Sequence, residues 1–319
     1  VVDSRDKRTE FTPQFVKDAG AKGFMNKGKW SPYSDDPVFQ KYYTKFVKAL
    51  AKDFNDPSKV EFIDGFGLGK WGEYHTMIYS TGDDTPKKAV FDWVTDIYSQ
   101  AFDKVPVVIN YHRWIGAGKD WVDDEHFAAD SEEMLEGAIK KGYSLRHDAF
   151  GMTTYYGSWE RRFAKKYRNI CPIIMEGGWI VKSHSYWQDP RGYRKDSHED
   201  VRRGEFDDSK EAHVNMMDFR FGDTESWFKD AFDLVRRFLR EGGYRLYPSE
   251  ISLPLEVSKK TTPTIKHCWN NLGWGYCPTN IPQWNQKYKV AFALLDSETN
   301  EVRYTFCILY TSDAADDTP

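Results

Sequence analysis

The sequence predicts an α/β fold, a parallel-sheet (β/α)8 TIM barrel followed by a smaller all-β domain. Three observations carry that expectation. Short apolar runs alternate with segments of 3.6-residue periodicity between residues 38 and 240, the pattern of strands joined by crossover helices. The run 172–175 is apolar at successive positions, as a strand buried on both faces of a parallel sheet must be. Beyond Tyr244 the rhythm changes to short alternating runs split by Pro, Asn and Gly, which reads as antiparallel structure.

Each element has a local reason. Val38, Phe39, Tyr42, Tyr43, Phe46, Val47 and Leu50 keep a helical period behind Asp36-Pro37, an N-cap with proline in the first turn. A strand from Val60 follows. Val90, Trp93, Val94, Ile97, Tyr98 and Ala101 then share one face of a helix over 87–102. Strands are expected at 105–111, 143–149 and 171–176, helices at 131–141 and 158–167, and a weaker strand at 213–219. The last helix, 225–240, meets Gly242-Gly243, a pair suited to a helix C-terminus. On this reading residues 1–243 form the barrel and 244–306 the β domain. The stretch 183–211, dense in Arg, Asp and Glu, is expected to be a solvated excursion.

Composition narrows the function. A chain of 319 residues with net charge -4 has room for one barrel and a small second domain. Its lysines and arginines alternate with acids, so the clustered basic surface that nucleic acid requires is not expected. No apolar run approaches the ~20 residues of a bilayer span. An aromatic fraction of 16%, with 12 tryptophans and 19 tyrosines, suits contact with sugar rings, although aromatics also fill cores. Cys171, Cys268, Cys277 and Cys307 show no zinc-site spacing. A Cys268 to Cys277 bridge and free buried thiols are both open.

Two carboxylates stand out. Glu73 follows a β-rich run that dissolves into glycines, and Glu176 closes the apolar run 172–175 before Gly177-Gly178. An acid at the end of a buried parallel strand emerges among the loops that bear the site of an α/β barrel. Gly72, Gly177 and Gly178 permit positive φ or the close approach of a ligand. Trp71, Tyr74 and Trp179 offer flat faces for a sugar ring. Two acids in matched settings point to glycoside hydrolysis, with no cofactor.

The segments Asp35-Asp36-Pro37-Val38-Phe39, 62–76 and Pro172-Ile-Ile-Met-Glu-Gly-Gly178 resemble beta-galactosidase-like glycoside hydrolases of the large retaining clan, in particular bacterial members with a C-terminal β-sandwich. The likeness spans most of residues 1–306. It implies that Glu73, after the fourth barrel strand, is the acid/base and that Glu176, after the seventh, is the nucleophile. The strands at 105–111 and 143–149 lie between them, as four to seven requires. It also implies a fragment: residues 1–3 would be a remnant third strand, the first two strands would be missing, and the sandwich would be incomplete. Residues 307–319 resemble translated adapter sequence and are set aside. An extracytoplasmic bacterial location follows from the resemblance as an expectation. Clan members place asparagine before the acid/base, where this chain has Gly72.

Other groups at strand ends are candidates for orienting sugar hydroxyls. They are His75, Tyr111, His112, His147 and Asp148, beside Trp71 and Trp179, with Asn110, Arg113, Asp218 and Arg220 behind them. Two alternatives stand beside the hydrolase. One is a metal-dependent barrel hydrolase using His75, His112, His147 and Glu176. The other is a carbohydrate-binding barrel without turnover, suggested by Gly72.

Overall fold

In the computed structural model, which describes residues 10–26, 28–119, 125–152, 155–178, 198–219, 224–258, 260, 263–285 and 290–308, helix and strand alternate over much of the chain. Helix α1 (Gln14–Asp18) precedes an antiparallel hairpin of β1 (Gly23–Asn26) and β2 (Lys29–Pro32), which the sequence pattern does not announce. Helix α2 (Pro37–Phe54) starts at the expected cap. The Asp36 carboxylate accepts the Phe39 amide at 2.8 Å, and Phe39, Tyr43 and Val47 form the buried stripe.

The alternation then runs through β3 (Ile63–Asp64), α3 (Lys87–Ala101), β4 (Val107–Asn110), α4 (Glu125–Lys140), β5 (Ser144–Phe150), α5 (Ser158–Tyr167), β6 (Ile173–Gly177), α6 (His198–Glu211) and β7 (Met216–Met217). The five strands form one parallel sheet in chain order. A mixed α/β architecture is thereby shown, and a complete eight-stranded barrel is not displayed by the described residues. The antiparallel expectation beyond Tyr244 is met by two separate ladders: β8 (Leu246–Ser252) with β9 (Lys266–Asn271), and, after α9 (Pro282–Asn285), β10 (Val290–Leu295) with β11 (Val302–Ile308). Residues 1–3, expected as a remnant strand, lie outside the described residues, as do residues 309–319.

Three expectations are corrected. The strand from Val60 shrinks to the two residues of β3, because the backbone leaves the extended region at Gly67 and Gly69, which hold φ of 73° and 74°. The helix expected over 225–240 is two helices, α7 (Thr224–Lys229) and α8 (Phe232–Glu241), parted where the amides of Asp230 and Ala231 both turn back to the Ser226 carbonyl. Residues 198–211 of the supposed solvated excursion are helix α6, and Arg202, Glu205, Asp208 and Ser209 on it are buried. Charge count misleads there because paired ions can be buried.

By internal contacts the chain groups into two compact units, Val1–Ser144 with Pro278–Pro319, and Leu145–Cys277. In the first, three tyrosines gather beneath the segment that follows β3. Tyr43 donates to the Phe66 carbonyl at 2.8 Å and Tyr143 to the Gly65 carbonyl at 2.9 Å, while the hydroxyls of Tyr43 and Tyr98 meet at 3.1 Å. In the second, β5 and β6 pair from Leu145↔Ile173 onward. Aromatic stacks of Phe150 on Tyr156 and Trp159 on Phe163 back them. No helix among the described residues is long and apolar enough to cross a membrane.

Candidate active site

Strand β6 delivers Glu176 as the sequence leads one to expect. Ile173, Ile174 and Met175 are buried, Glu176 is half-buried, and the strand closes on Gly177. Arg146 of β5 pairs with Ile174, two residues before Glu176, so the pleat brings its guanidinium to the same face. The Arg146 Nη1 donates to Glu176 Oε2, an ion pair whose side chains are 9% and 28% exposed. Such a partner favours the ionised carboxylate. Between His147 and Phe150 the register with β6 slips, so β5 carries an extra residue opposite Glu176. Bulges of this kind re-aim side chains and recur beside active sites. His147 closes the bulge on its own strand, its Nδ1 accepting the Ala149 amide at 3.0 Å. It is buried edge-on against Tyr156 and Phe150, the position of a packed histidine. Asp148, on the bulge, is half-buried.

The glycines after Glu176 do not leave room for a ligand. A Cβ on Gly177 would stand 2.8 Å from Glu205 Oε1, and one on Gly178 would collide with the Met152 side chain. The close approach that glycine permits here is that of helix α6 and of Met152.

Glu73 is placed differently. It lies nine residues past the end of β3, in a tightly turned loop rather than at a strand end. The loop is tied by isolated bridges between Leu68 and Glu73 and between Lys70 and His75. Trp71, Tyr74 and Thr76 hold positive φ (60°, 65° and 49°), as does Gly72 at 82°. Left-handed backbone at three residues with side chains is strain, and strain of this kind gathers at functional sites. Gly72 occupies a conformation that favours glycine.

Around Glu73 the first unit assembles several of the expected residues. Trp71 is 55% exposed, with the Lys70 ammonium 3.8 Å from its ring centroid and the edge of His75 against it. His75 is buried and stacks on His112, centroids 3.9 Å apart. His112 accepts the Trp114 amide on Nδ1 at 3.2 Å, so Nε2 carries the proton and donates to the Glu73 carbonyl at 2.9 Å. Both ring nitrogens are thus committed within the chain, which removes His112 from the metal-ligand set His75, His112, His147 and Glu176. Tyr111 and Asn110 are buried, and Arg113 lies over the Trp114 ring at 3.8 Å. Asp218 is exposed and its amide extends the β6–β7 pairing to the Met175 carbonyl at 2.9 Å. Trp179 and Arg220 lie outside the described residues.

Two sets of residues escaped the sequence reading. Arg146 alternates with Asp148 in a strand-like run, a signal of shared face, yet its meeting with Glu176 depends on the β5–β6 register. The buried acids of α6 gave a helical three-residue spacing, masked by the charge of the surrounding stretch. No family model matches the chain, and neither a curated protein nor a solved structure matches it.

Proposed function

We propose that this chain carries the catalytic machinery of a retaining glycoside hydrolase, with Glu176 as nucleophile and Glu73 as acid/base, acting on a plant or microbial oligo- or polysaccharide. In this reading β3 to β7 are strands four to eight of a (β/α)8 barrel, and residues 244–306 belong to a β-sandwich. The observation that carries it is Glu176: a half-buried carboxylate at the C-terminal end of a parallel strand, held by Arg146 opposite a bulge. The strand count adds support, since β4 and β5 separate the Glu73 segment from β6. The strained loop with an exposed tryptophan gives the acid/base a setting in which a sugar ring has a face to stack on.

The chemistry is double displacement. Glu176 attacks the anomeric carbon while Glu73 donates its proton to the leaving oxygen; water then reverses the step with Glu73 as base. Arg146 presents the nucleophile as an anion. The bond from His112 to the Glu73 carbonyl fixes the backbone that carries the acid.

Glu176→Ala is expected to abolish hydrolysis of aryl glycosides, and azide, a small anion in place of the missing carboxylate, is expected to restore part of it as the inverted glycosyl azide. Undiminished activity in that variant would end the proposal. In a crystal structure the two carboxyl groups should stand about 5–5.5 Å apart, against roughly 6.5–9.5 Å for inversion.

A further inference from the structure

Helix α6 turns a row of charges toward the interior. Arg202, Glu205 and Asp208 recur every three residues, and each is at most 1% exposed. Desolvating ions is expensive, and apolar residues of similar volume often stabilise as well or better. Stability alone therefore gives no reason for the row, and its contacts suggest another.

Both oxygens of Asp208 hold Arg161, at 3.0 and 3.3 Å, and Oδ2 also accepts the Gly151 amide at 3.1 Å. Glu205 accepts from Arg202 at 2.5 Å, and Arg202 is itself fixed by Ser226 Oγ at 2.8 Å and by the Trp227 ring. The other oxygen of Glu205 lies against Gly177, and its backbone lies against Gly151. Gly151 follows the last residue of β5, and Gly177 is the last residue of β6. The two acids thus bear on the backbone just past Asp148 and Glu176.

We propose that Glu205 and Asp208 are positioning residues for Glu176: they clamp the C-terminal ends of β5 and β6 and so fix where its carboxylate stands. The inference rests on the reading of Glu176 as nucleophile. Charge-assisted bonds to two arginines make the clamp stiff, and a reacting group displaced by about 1 Å loses roughly 10²-fold in rate.

Asp208→Asn and Glu205→Gln keep the volumes and weaken the clamp. In the full chain each is expected to lower kcat for an aryl glycoside by about tenfold or more with KM changed by less than about twofold. In the Glu176→Ala background with azide, the same substitutions are expected to cause no further loss, because the group they position is gone. Equal losses in both backgrounds would reveal a general structural role and overturn the proposal. Hydrogen exchange reads the clamp without turnover: Asp208→Asn should speed exchange of the Gly151 amide by about tenfold or more, and unchanged protection overturns the clamp whatever the activity. A chain that hydrolyses no glycoside yet shows the faster exchange would refute the glycosidase reading and leave the clamp standing.

Discussion

The ion pair between Arg146 and Glu176 permits a quantitative test of the candidate nucleophile's setting. Arg146→Met keeps most of the apolar stem and removes the guanidinium. Breaking a fully buried pair from one side costs about 3–5 kcal/mol, whereas exposed pairs contribute about 0–1 kcal/mol. With Arg146 9% and Glu176 28% exposed, the loss should fall between these limits, at about 2 kcal/mol. Glu176→Gln removes the other charge, and the double variant removes both. If the contact is the main interaction of each group, the two losses are not additive, and the cycle should return a coupling of about 1–2 kcal/mol. Urea denaturation supplies the numbers, read as midpoint shifts at constant slope. A coupling below about 0.5 kcal/mol, the level of independent sites, would show that Arg146 does not hold Glu176, and the account of an anion presented at the strand end would fall with it.

Two further tests address the packing. Gly151→Ala must place a side chain at φ +78°, with its Cβ 2.6 to 2.9 Å from Cγ, N and Cα of Glu205; a left-handed residue costs about 1–2 kcal/mol and overpacking about 1–3 more. Gly142→Ala, at φ +95° with nothing within 4 Å, should show only the first cost, and equal losses in the two variants would refute the seating of α6 on the end of β5. Burial pushes the phenols of Tyr43, Tyr74 and Tyr143 well above their ordinary value. Their unfolded forms release protons from about pH 10 while the folded forms do not, so stability is kept below that pH and falls as pH rises through it. Phenolate absorbance from these residues should therefore appear together with the loss of circular dichroism. Full ionisation of all tyrosines in a chain that is still folded would contradict their burial.

The helices that sequence located well are those whose signals are local. Asp36-Pro37 caps α2 at the expected residue, and α5 spans Ser158–Tyr167 as its pattern predicts. The run 172–175 likewise becomes β6 with Glu176 near its end. Legibility fails where the deciding contact is distant. Ile63–Asp64 remains a strand only through its pairing with Val107 and Val108, and the glycines after it fold into a loop whose bridges no periodicity encodes. The charged stretch before β7 reads as solvent-facing because most of its residues are polar, yet on helix α6 Glu205 and Asp208 are buried, bonded by Arg202, Arg161 and the backbone of Gly151.

Sequence by itself determined the alternation of parallel strands and helices, the change to antiparallel ladders beyond residue 244, and the position of Glu176, because apolar periodicity and capping act between residues close in the chain. Only the tertiary structure decided what surrounds that carboxylate. Strand register brings Arg146 to Glu176 and sets a bulge opposite it, and helix packing lays Glu205 and Asp208 against Gly177 and Gly151. The side-chain contacts among these join residues 28 to 57 positions apart in the chain, and their energies exist only once the backbone has closed the distance.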